Sequence, residues 1–558
     1  MAYFDLFGEL PTGPLLLEAS AGTGKTYAIV TLAARMIAET DYRVNELLLI
    51  TFTNRAADQL RSRLYQRLQV AQDQLAAHLA NGTQPSDDLA RHLSLGDAEG
   101  AFRRISAALA GFEAAAITTI HSFCRNTLQT LGVLGDWDDE QQVATELADI
   151  VSQSIADTYL AGSRNSEPPF SFTVASHIGK TVCESSLPLA PNDSAAANFG
   201  HQVRQAVTAR KRAAGIVTFS DQVNRLRELV TTDGSEALIA ELRRRFRAVF
   251  VDEFQDTDAA QWEVLRNVFV TETTPCVLIG DPKQSIYAFR DADLDLYLDA
   301  SRLAQRQSLA TNYRSDQQVI DGITELFSGA VLGPEVSVSA TRCVHRDRLR
   351  AGDLANRLWL RSLPAAQHDR EAAITDDLVA LTQQLLGSDQ YARIVDGDWR
   401  QIQPSDIAIL VRRSAMGHRL VAALNAHGIP AEYLGADNIF ASPAATHWLR
   451  VLTAIVSPSH ENLLLAAMTP LFGYDLTSID ETALTGIWQQ LTAASQPSEK
   501  HPTLSLGSKL LANTGPTAAA HGAAMLSDLW HLATLLDQAQ ATSVAELRDW
   551  LLAQLAGP

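Results

Sequence analysis

Ala19-Ser20-Ala21-Gly22-Thr23-Gly24-Lys25-Thr26 has the residue types and spacing of a loop that cradles a nucleoside triphosphate. It follows the apolar run Leu15–Leu17 and precedes the amphipathic stretch Ile29–Ile37, an order that predicts strand, tight turn and helix N-terminus. Backbone N–H groups in such a turn point inward at phosphate oxygens, and the helix dipole adds partial positive charge. Lys25 would reach the β/γ-phosphates, and the Thr26 hydroxyl would ligate Mg²⁺. The strict pattern G-x-x-x-x-G-K-[ST] is broken once, at Ala19.

A second group of residues supplies acids. Arg247-Ala248-Val249-Phe250-Val251 runs into Asp252-Glu253-Phe254-Gln255-Asp256. This predicts a buried strand with two carboxylates at its C-terminal end, where α/β folds bind ligands. Asp252 suits Mg²⁺, and Glu253 suits polarisation of an attacking water.

Two further stretches narrow the chemistry. Val277–Gly280 is another β-type run, leading into Asp281-Pro282-Lys283-Gln284-Ser285-Ile286-Tyr287-Ala288-Phe289-Arg290, and Asn312-Tyr313-Arg314-Ser315 sets an aromatic beside an arginine. Thr51-Phe52-Thr53-Asn54 and Thr118-Thr119-Ile120-His121-Ser122-Phe123 repeat the mixture of hydroxyls and aromatics. Nucleotide hydrolysis needs none of these. Single-stranded nucleic acid does, because bases stack on aromatic faces and hydroxyls or amides hold phosphates.

The ordered set ASAGTGKT, TFTNRAADQLRSRL, TIHSFC, VDEFQDTD, GDPKQSIYAFRDAD and NYRS resembles the superfamily 1 DNA helicases of the UvrD/Rep/PcrA type. Within that family LLLEASAGTGKT, FVDEFQDTD and LIGDPKQSIYAFR look most like the RecB branch. The likeness continues through Ser405–Arg413 and Gly428–Gly435. It implies a RecA-like P-loop NTPase motor domain (a parallel sheet flanked by helices) with helical insertions and an incomplete second RecA-like domain. The implied activity is ATP- and Mg²⁺-dependent 3′→5′ translocation on DNA and processing of double-strand ends, beside RecC- and RecD-like subunits.

The resemblance also assigns roles. Residues Ala19 to Thr26 and Tyr313 would hold ATP, with Thr26 and Asp252 on the metal. Glu253 would be the catalytic base, Gln284 the γ-phosphate sensor, and Arg314 a γ-phosphate contact. Thr51, Phe52, Thr53, His121, Tyr287, Phe289 and Arg290 would face DNA. Asp291 stands where the family usually has Gly, and no glutamine-bearing adenine motif precedes the P-loop. The family's later H-K-[SA]-K-G-L-E-like and T-R-A segments, and its nuclease segment, do not occur in these residues. The implied protein is therefore the N-terminal part of a longer one or a split product, and a poor enzyme alone. A UvrD- or AddA-like helicase, or a DNA- and ATP-binding module that does not turn over, remain alternatives.

Composition agrees with a multidomain enzyme. The chain has 558 residues, 46% hydrophobic and 20% charged, with net charge −19. An acidic balance argues against a nucleic-acid partner only at the level of the whole surface; a local groove escapes it. Basic clusters lie at Arg61-Arg63-Arg67, Arg204–Arg212, Arg243–Arg247 and Arg342–Arg350, and Arg61 and Arg63 are the best candidates for phosphate contacts. The 4 cysteines have no C-x-x-C spacing, which suits a reducing, cytoplasmic setting. No apolar run approaches ~18 residues and no signal-peptide pattern opens the chain.

Periodicity divides the chain. Residues 1–125 and 213–328 read as two parts of one motor domain, with 126–212 a helical insertion. Residues 329–444 read as the start of a second α/β domain, with strands near Arg357–Leu363, Ile407–Val411 and Pro430–Leu434 and a helix at His418–Ala426. Residues 445–558 read as its helical insertion.

Overall fold

The computed structural model describes residues 2–132, 142–143, 147–163, 169–184, 194–286, 294–330, 336, 342–345, 348–351, 358–363, 370–387, 391–395, 398–433, 439–475, 477–495, 506–507, 509–511, 523–539, 541 and 543–556. The chain divides into two compact units, Met1–Leu360 and Arg361–Pro558.

The first unit is built on a 7-stranded parallel sheet. Its strands are β1 (Ala2–Tyr3), β2 (Pro14–Glu18), β3 (Leu47–Thr51) and β4 (Ala116–Thr119). After the short pair β5 (Gln142–Val143) and β6 (Ile216–Val217), which lie outside that sheet, come β7 (Ala248–Val251), β8 (Cys276–Gly280) and β9 (Gln305–Ser308). Their spatial order is β1-β9-β2-β8-β7-β3-β4. β3, β7 and β8 are buried throughout. That follows from their near-continuous Leu, Ile, Val and Phe, which suits a parallel sheet covered on both faces.

Alternation then assigns the two faces. Leu15, Leu17, Leu47, Leu49, Phe250, Val277 and Ile279 join one core. Helices α1 (Lys25–Glu39), α2 (Asn54–Asn81), α3 (Asp88–Ser94) and α4 (Ala98–Ala110) supply its other half. Leu16, Leu48, Ile50, Val249, Val251 and Leu278 join the opposite core. There they meet α5 (Ile120–Leu131) and, after the small bundle of α6 (Ala148–Gly162), α7 (Phe172–Glu184) and α8 (Ala195–Ala213), helices α9 (Phe219–Thr231), α10 (Glu236–Arg245), α11 (Ala259–Phe269) and α12 (Leu294–Leu303). The three-helix bundle has its own core around Ile155, Ala175 and Val203. Burial on this scale stabilises each large apolar side chain by about 1.5–3 kcal/mol. Buried Cys124 and Cys276 are free thiols; burial pushes both far up, Cys276 to about 12, so they stay protonated.

Beyond the main sheet, β10 (Thr311–Asp316) pairs in parallel with β11 (Arg342–His345), and α13 (Gln317–Leu326) follows β10.

The second unit holds α14 (Arg370–Leu386), an antiparallel hairpin of β12 (Tyr391–Val395) and β13 (Asp398–Gln401), and α15 (Ser414–Ala426). Asp406 accepts from Arg393 and Arg400, and Arg400 beside it holds its carboxyl down at about 2. This corrects the expected strands. No ladder forms at 358–363, 407–411 or 430–433; the hairpin lies between the expected positions. Leu410 is 98% exposed, which shows the alternating pattern of a strand without a strand beside it. A helical core follows, from α16 (Pro443–Val456) and α17 (His460–Ala467) to α18 (Glu481–Ala494), α19 (Ala523–Gln538) and α20 (Val544–Ala556). Trp448 is its centre, fully buried, with its indole N–H donating to Leu529 O at 3.1 Å. Among the described residues no helix is long and apolar enough to cross a membrane.

Candidate nucleotide and nucleic-acid site

In a parallel sheet every strand's C-terminal end lies on the same edge. The loops after β2, β7, β8, β3 and β4 therefore share that edge, and they carry Ala19–Gly24, Asp252–Glu253, Asp281–Gln284, Phe52 and His121.

The loop after β2 turns on Gly22 and Gly24, with φ of +81° and +87°. Gly22 is required twice over. A Cβ there would also meet Arg314 Cβ at 2.7 Å and the Asn312 amide at 2.9 Å. Ala19, the departure from strict glycine, is buried, and its N–H donates to Gly280 O at 3.0 Å. Glu253 is the sole described non-glycine residue with positive φ, so Ala19 occupies ordinary backbone and its methyl fits.

Opposite the loop lies β10. Asn312 Nδ2 donates to Ala21 O at 2.8 Å, and Tyr313 N donates to Gly22 O at 2.7 Å. Asn312 Oδ1 in turn accepts from Arg314 N and Ser315 N, both at 2.8 Å. These bonds bring exposed Tyr313 and Arg314 onto the glycine turn. Residue types alone give Asn312 no task; its 2% exposure is the signal that only packing reveals.

The acids sit within reach of Lys25. Lys25 Nζ donates to Glu253 Oε2 at 2.6 Å, and Gln255 Nε2 donates to the same oxygen at 2.9 Å. Glu253 is held in the left-handed region, φ 51° and ψ 42°, a conformation that costs a non-glycine residue of order 1 kcal/mol or more. Burial, then the neighbouring Glu253 charge, push Asp252 up to about 6 against the opposing pull of Lys25; Asp256 rises to about 6 for the same reasons. Three carboxylates around one ammonium make a site short of positive charge. Among the described residues no three acidic, His or Cys side chains converge as a metal cage. A cation here would need oxygens from outside the protein. Gln284 Nε2 donates to Asp281 Oδ2 at 2.8 Å, and Lys283 pairs with Asp281 at 2.8 Å.

The residues expected to face nucleic acid are dispersed in role. Phe52 is half-buried; Thr51 is buried with its hydroxyl unpaired, and Thr53 caps α2 by accepting from Ala56 N at 3.1 Å. His121 stands in the first turn of α5, edge-on to Phe219 at 5.5 Å, and burial lowers its imidazole pKa. Tyr287, Phe289, Arg290 and Asp291 lie outside the described residues.

The basic clusters need correction. Arg61 donates from Nη2 to Ala115 O and Ile117 O, each at 3.1 Å, and so ties α2 to β4 rather than standing free for a phosphate. Arg67 is held by Asp87 and Asp88, Arg210 by Asp157, Lys211 by Asp221, Arg244 by Glu241 and Arg348 by Asp316. Arg63 is exposed on α2. Arg61→Ala should therefore lower stability by about 1.5–3 kcal/mol, the worth of hydrogen bonds from a charged donor. Oligonucleotide affinity should stay unchanged; thermal melts beside fluorescence anisotropy check both.

A parallel sheet with a glycine turn after β2, and paired acids after β7, defines the chain's first unit as a P-loop nucleotide-binding domain of RecA-like α/β type. The chain belongs to the UvrD/REP helicase family: residues 8–305 match the UvrD/REP helicase N-terminal domain. It is 34% identical, over 99% of its length and 53% of the relative's, to the RecBCD enzyme subunit RecB of Mycolicibacterium smegmatis. It is 29% identical to the Escherichia coli protein of the same name, over 64% of this chain and 33% of that one. An ATP-dependent helicase/nuclease of Geobacillus kaustophilus matches at 31% over 48% of this chain and 24% of its own. The chain spans about half the length of the mycobacterial-type relatives it matches.

Proposed function

We propose that this chain is the nucleotide- and DNA-binding motor portion of a RecB-type, ATP-dependent DNA helicase. The observation that carries the reading is the meeting, on one sheet edge, of the glycine turn, Lys25, Asp252, Glu253 and the Asn312–Arg314 strand. The RecB match over nearly the whole chain favours this branch over the Geobacillus helicase/nuclease type, whose match covers 48% of it.

Mg²⁺–ATP fits the residues present. The turn's backbone donors and Lys25 would hold the phosphates, and Thr26 and Asp252 would face the metal. Bound Mg²⁺ would supply charge neutralisation at the phosphates. Triphosphate oxygens compete for Lys25 and release it from Glu253, which then has an oxygen to orient water. Gln284 and Arg314 would read the γ-phosphate, and Tyr313 would lie against the base. Thr51, Phe52, Thr53, His121, Tyr287, Phe289 and Arg290 would line the single-strand path. The 3′→5′ direction, action at double-strand ends, RecC- and RecD-like partners and a cytoplasmic setting belong to the same reading. So do a first motor domain from 1–125 and 213–328, helical insertions at 126–212 and 445–558, and a second motor domain beginning at 329–444.

The test is oligonucleotide binding. The chain should bind a fluorescent single strand with salt-dependent affinity, and Tyr287→Ala with Phe289→Ala should weaken it by ~1–3 kcal/mol per lost base stack. Melting temperature should hold. A large drop in melting temperature with unchanged affinity would return those rings to a core role.

A further inference from the structure

We infer that Gln255 is a positioning residue, one buried amide that couples Glu253 to the Asp281–Gln284 loop. Its Nε2 donates to Glu253 Oε2 at 2.9 Å, while its Oε1 accepts from Asp281 N at 3.0 Å. These loops follow β7 and β8, neighbouring strands of the sheet. The side chain is 3% exposed, so neither bond is traded freely with water. The amide's orientation is forced. A carboxylate can only accept and a backbone N–H can only donate, which assigns Nε2 to Glu253 and Oε1 to Asp281.

The surroundings keep it there. Ser285 Oγ donates to Gln255 O at 3.3 Å, closing the second loop over the first. A Cβ on Gly280 would lie 2.6 Å from Gln255 Oε1 and 3.2 Å from its N, so glycine at the end of β8 makes room for this amide. Asp281, whose N–H Gln255 accepts, also receives Gln284 Nε2 and Lys283 Nζ. A continuous path of hydrogen bonds thus runs Lys25–Glu253–Gln255–Asp281–Gln284.

Glu253 depends on that path. Lys25 and Gln255 both use Oε2, and Glu253 sits on left-handed backbone that its side-chain partners must help to hold. Once a phosphate draws Lys25 away, Gln255 is the neighbour that keeps the carboxylate aimed. Displacement of the Asp281–Gln284 loop would then move Glu253 through it. The inference rests on Glu253 being the water-polarising residue, as proposed above.

The experiment uses the 558-residue chain in excess over ATP, so that a single turnover is followed however slow. Wild type, Glu253→Gln, Gln255→Met, Gln255→Glu and the Glu253→Gln/Gln255→Met double variant are compared, with Mg²⁺–ADP affinity and melting temperature for each. Wild type must first exceed Glu253→Gln. Both Gln255 variants should then bind Mg²⁺–ADP within about twofold of wild type while losing on the order of 10²-fold in rate, the cost of a misaimed reacting group. The double variant should be no slower than Glu253→Gln alone. Losses that multiply would mean Gln255 acts apart from Glu253 and overturn the inference. So would a wild-type rate for Gln255→Met, or unfolding of both the isosteric Glu and the Met variants. Equal rates for wild type and Glu253→Gln would instead remove the catalytic assignment on which the inference stands.

Discussion

Replacing Lys25 with alanine should weaken Mg²⁺–ADP binding by roughly 10²–10³-fold, the effect of removing a buried, hydrogen-bonded charge worth about 2–5 kcal/mol. Lys25 Nζ lies 2.6 Å from Glu253 Oε2 and is the cation that opposes the raised Asp252 and Asp256 carboxyls. Its loss thus has a second face, visible without nucleotide. Three carboxylates would remain with no ammonium among them, so Lys25→Ala should also melt lower, more so at neutral pH than near pH 4, where the acids take up protons. Isothermal calorimetry measures the first effect and a pair of thermal scans the second. Equal nucleotide affinity in the two proteins would disqualify the glycine turn as a triphosphate site.

Asp252→Asn should act in the opposite sense on stability. Asp252 stands at about 6 in the folded chain against 3.8 in its ordinary state, because burial and the Glu253 charge disfavour its ionised form. Between those values the folded state holds a proton that the unfolded chain has released. The stability this confers is complete below the unfolded value and is lost as pH rises through the folded one. Wild type therefore carries a penalty above about pH 6 that asparagine, which never ionises, escapes. The shift corresponds to about 1–3 kcal/mol once screening at this half-buried edge is allowed for. In chelator and without nucleotide, Asp252→Asn should melt higher than wild type at neutral pH and match it near pH 4. Adding Mg²⁺–ADP should reverse the ranking, since the variant lacks the carboxylate that would meet the metal. A variant that melts lower than wild type at neutral pH in chelator would show that the acid is already compensated by a group other than Lys25.

Together these expectations describe a site that is electrostatically incomplete by itself. The protein holds acids close at a cost that a bound cation and phosphate would relieve, a common compromise between stability and function.

Much of this was legible in the residues alone. Leu15–Leu17, Leu47–Thr51, Ala116–Thr119, Ala248–Val251 and Cys276–Gly280 read as strands because each is a short apolar run, and each lies in the parallel sheet. The glycine turn, Lys25 and Asp252-Glu253 were legible for the same reason: their chemistry is set by neighbours a few positions away. The second unit was less so. Ile407–Val411 has a strand's composition but no ladder, because strand pairing depends on a partner that local pattern does not contain.

Tertiary structure alone decided the rest. It bound Lys25 to Glu253 across 228 positions of sequence and Asn312 to Ala21 across 291. It turned Arg61 from an expected phosphate ligand into a brace on β4, and made Gln255 the link between two loops. The physical reason is common to all four. A long polar side chain satisfies its hydrogen bonds with whatever buried donor or acceptor the fold brings near, and that neighbour is fixed by packing rather than by spacing along the chain.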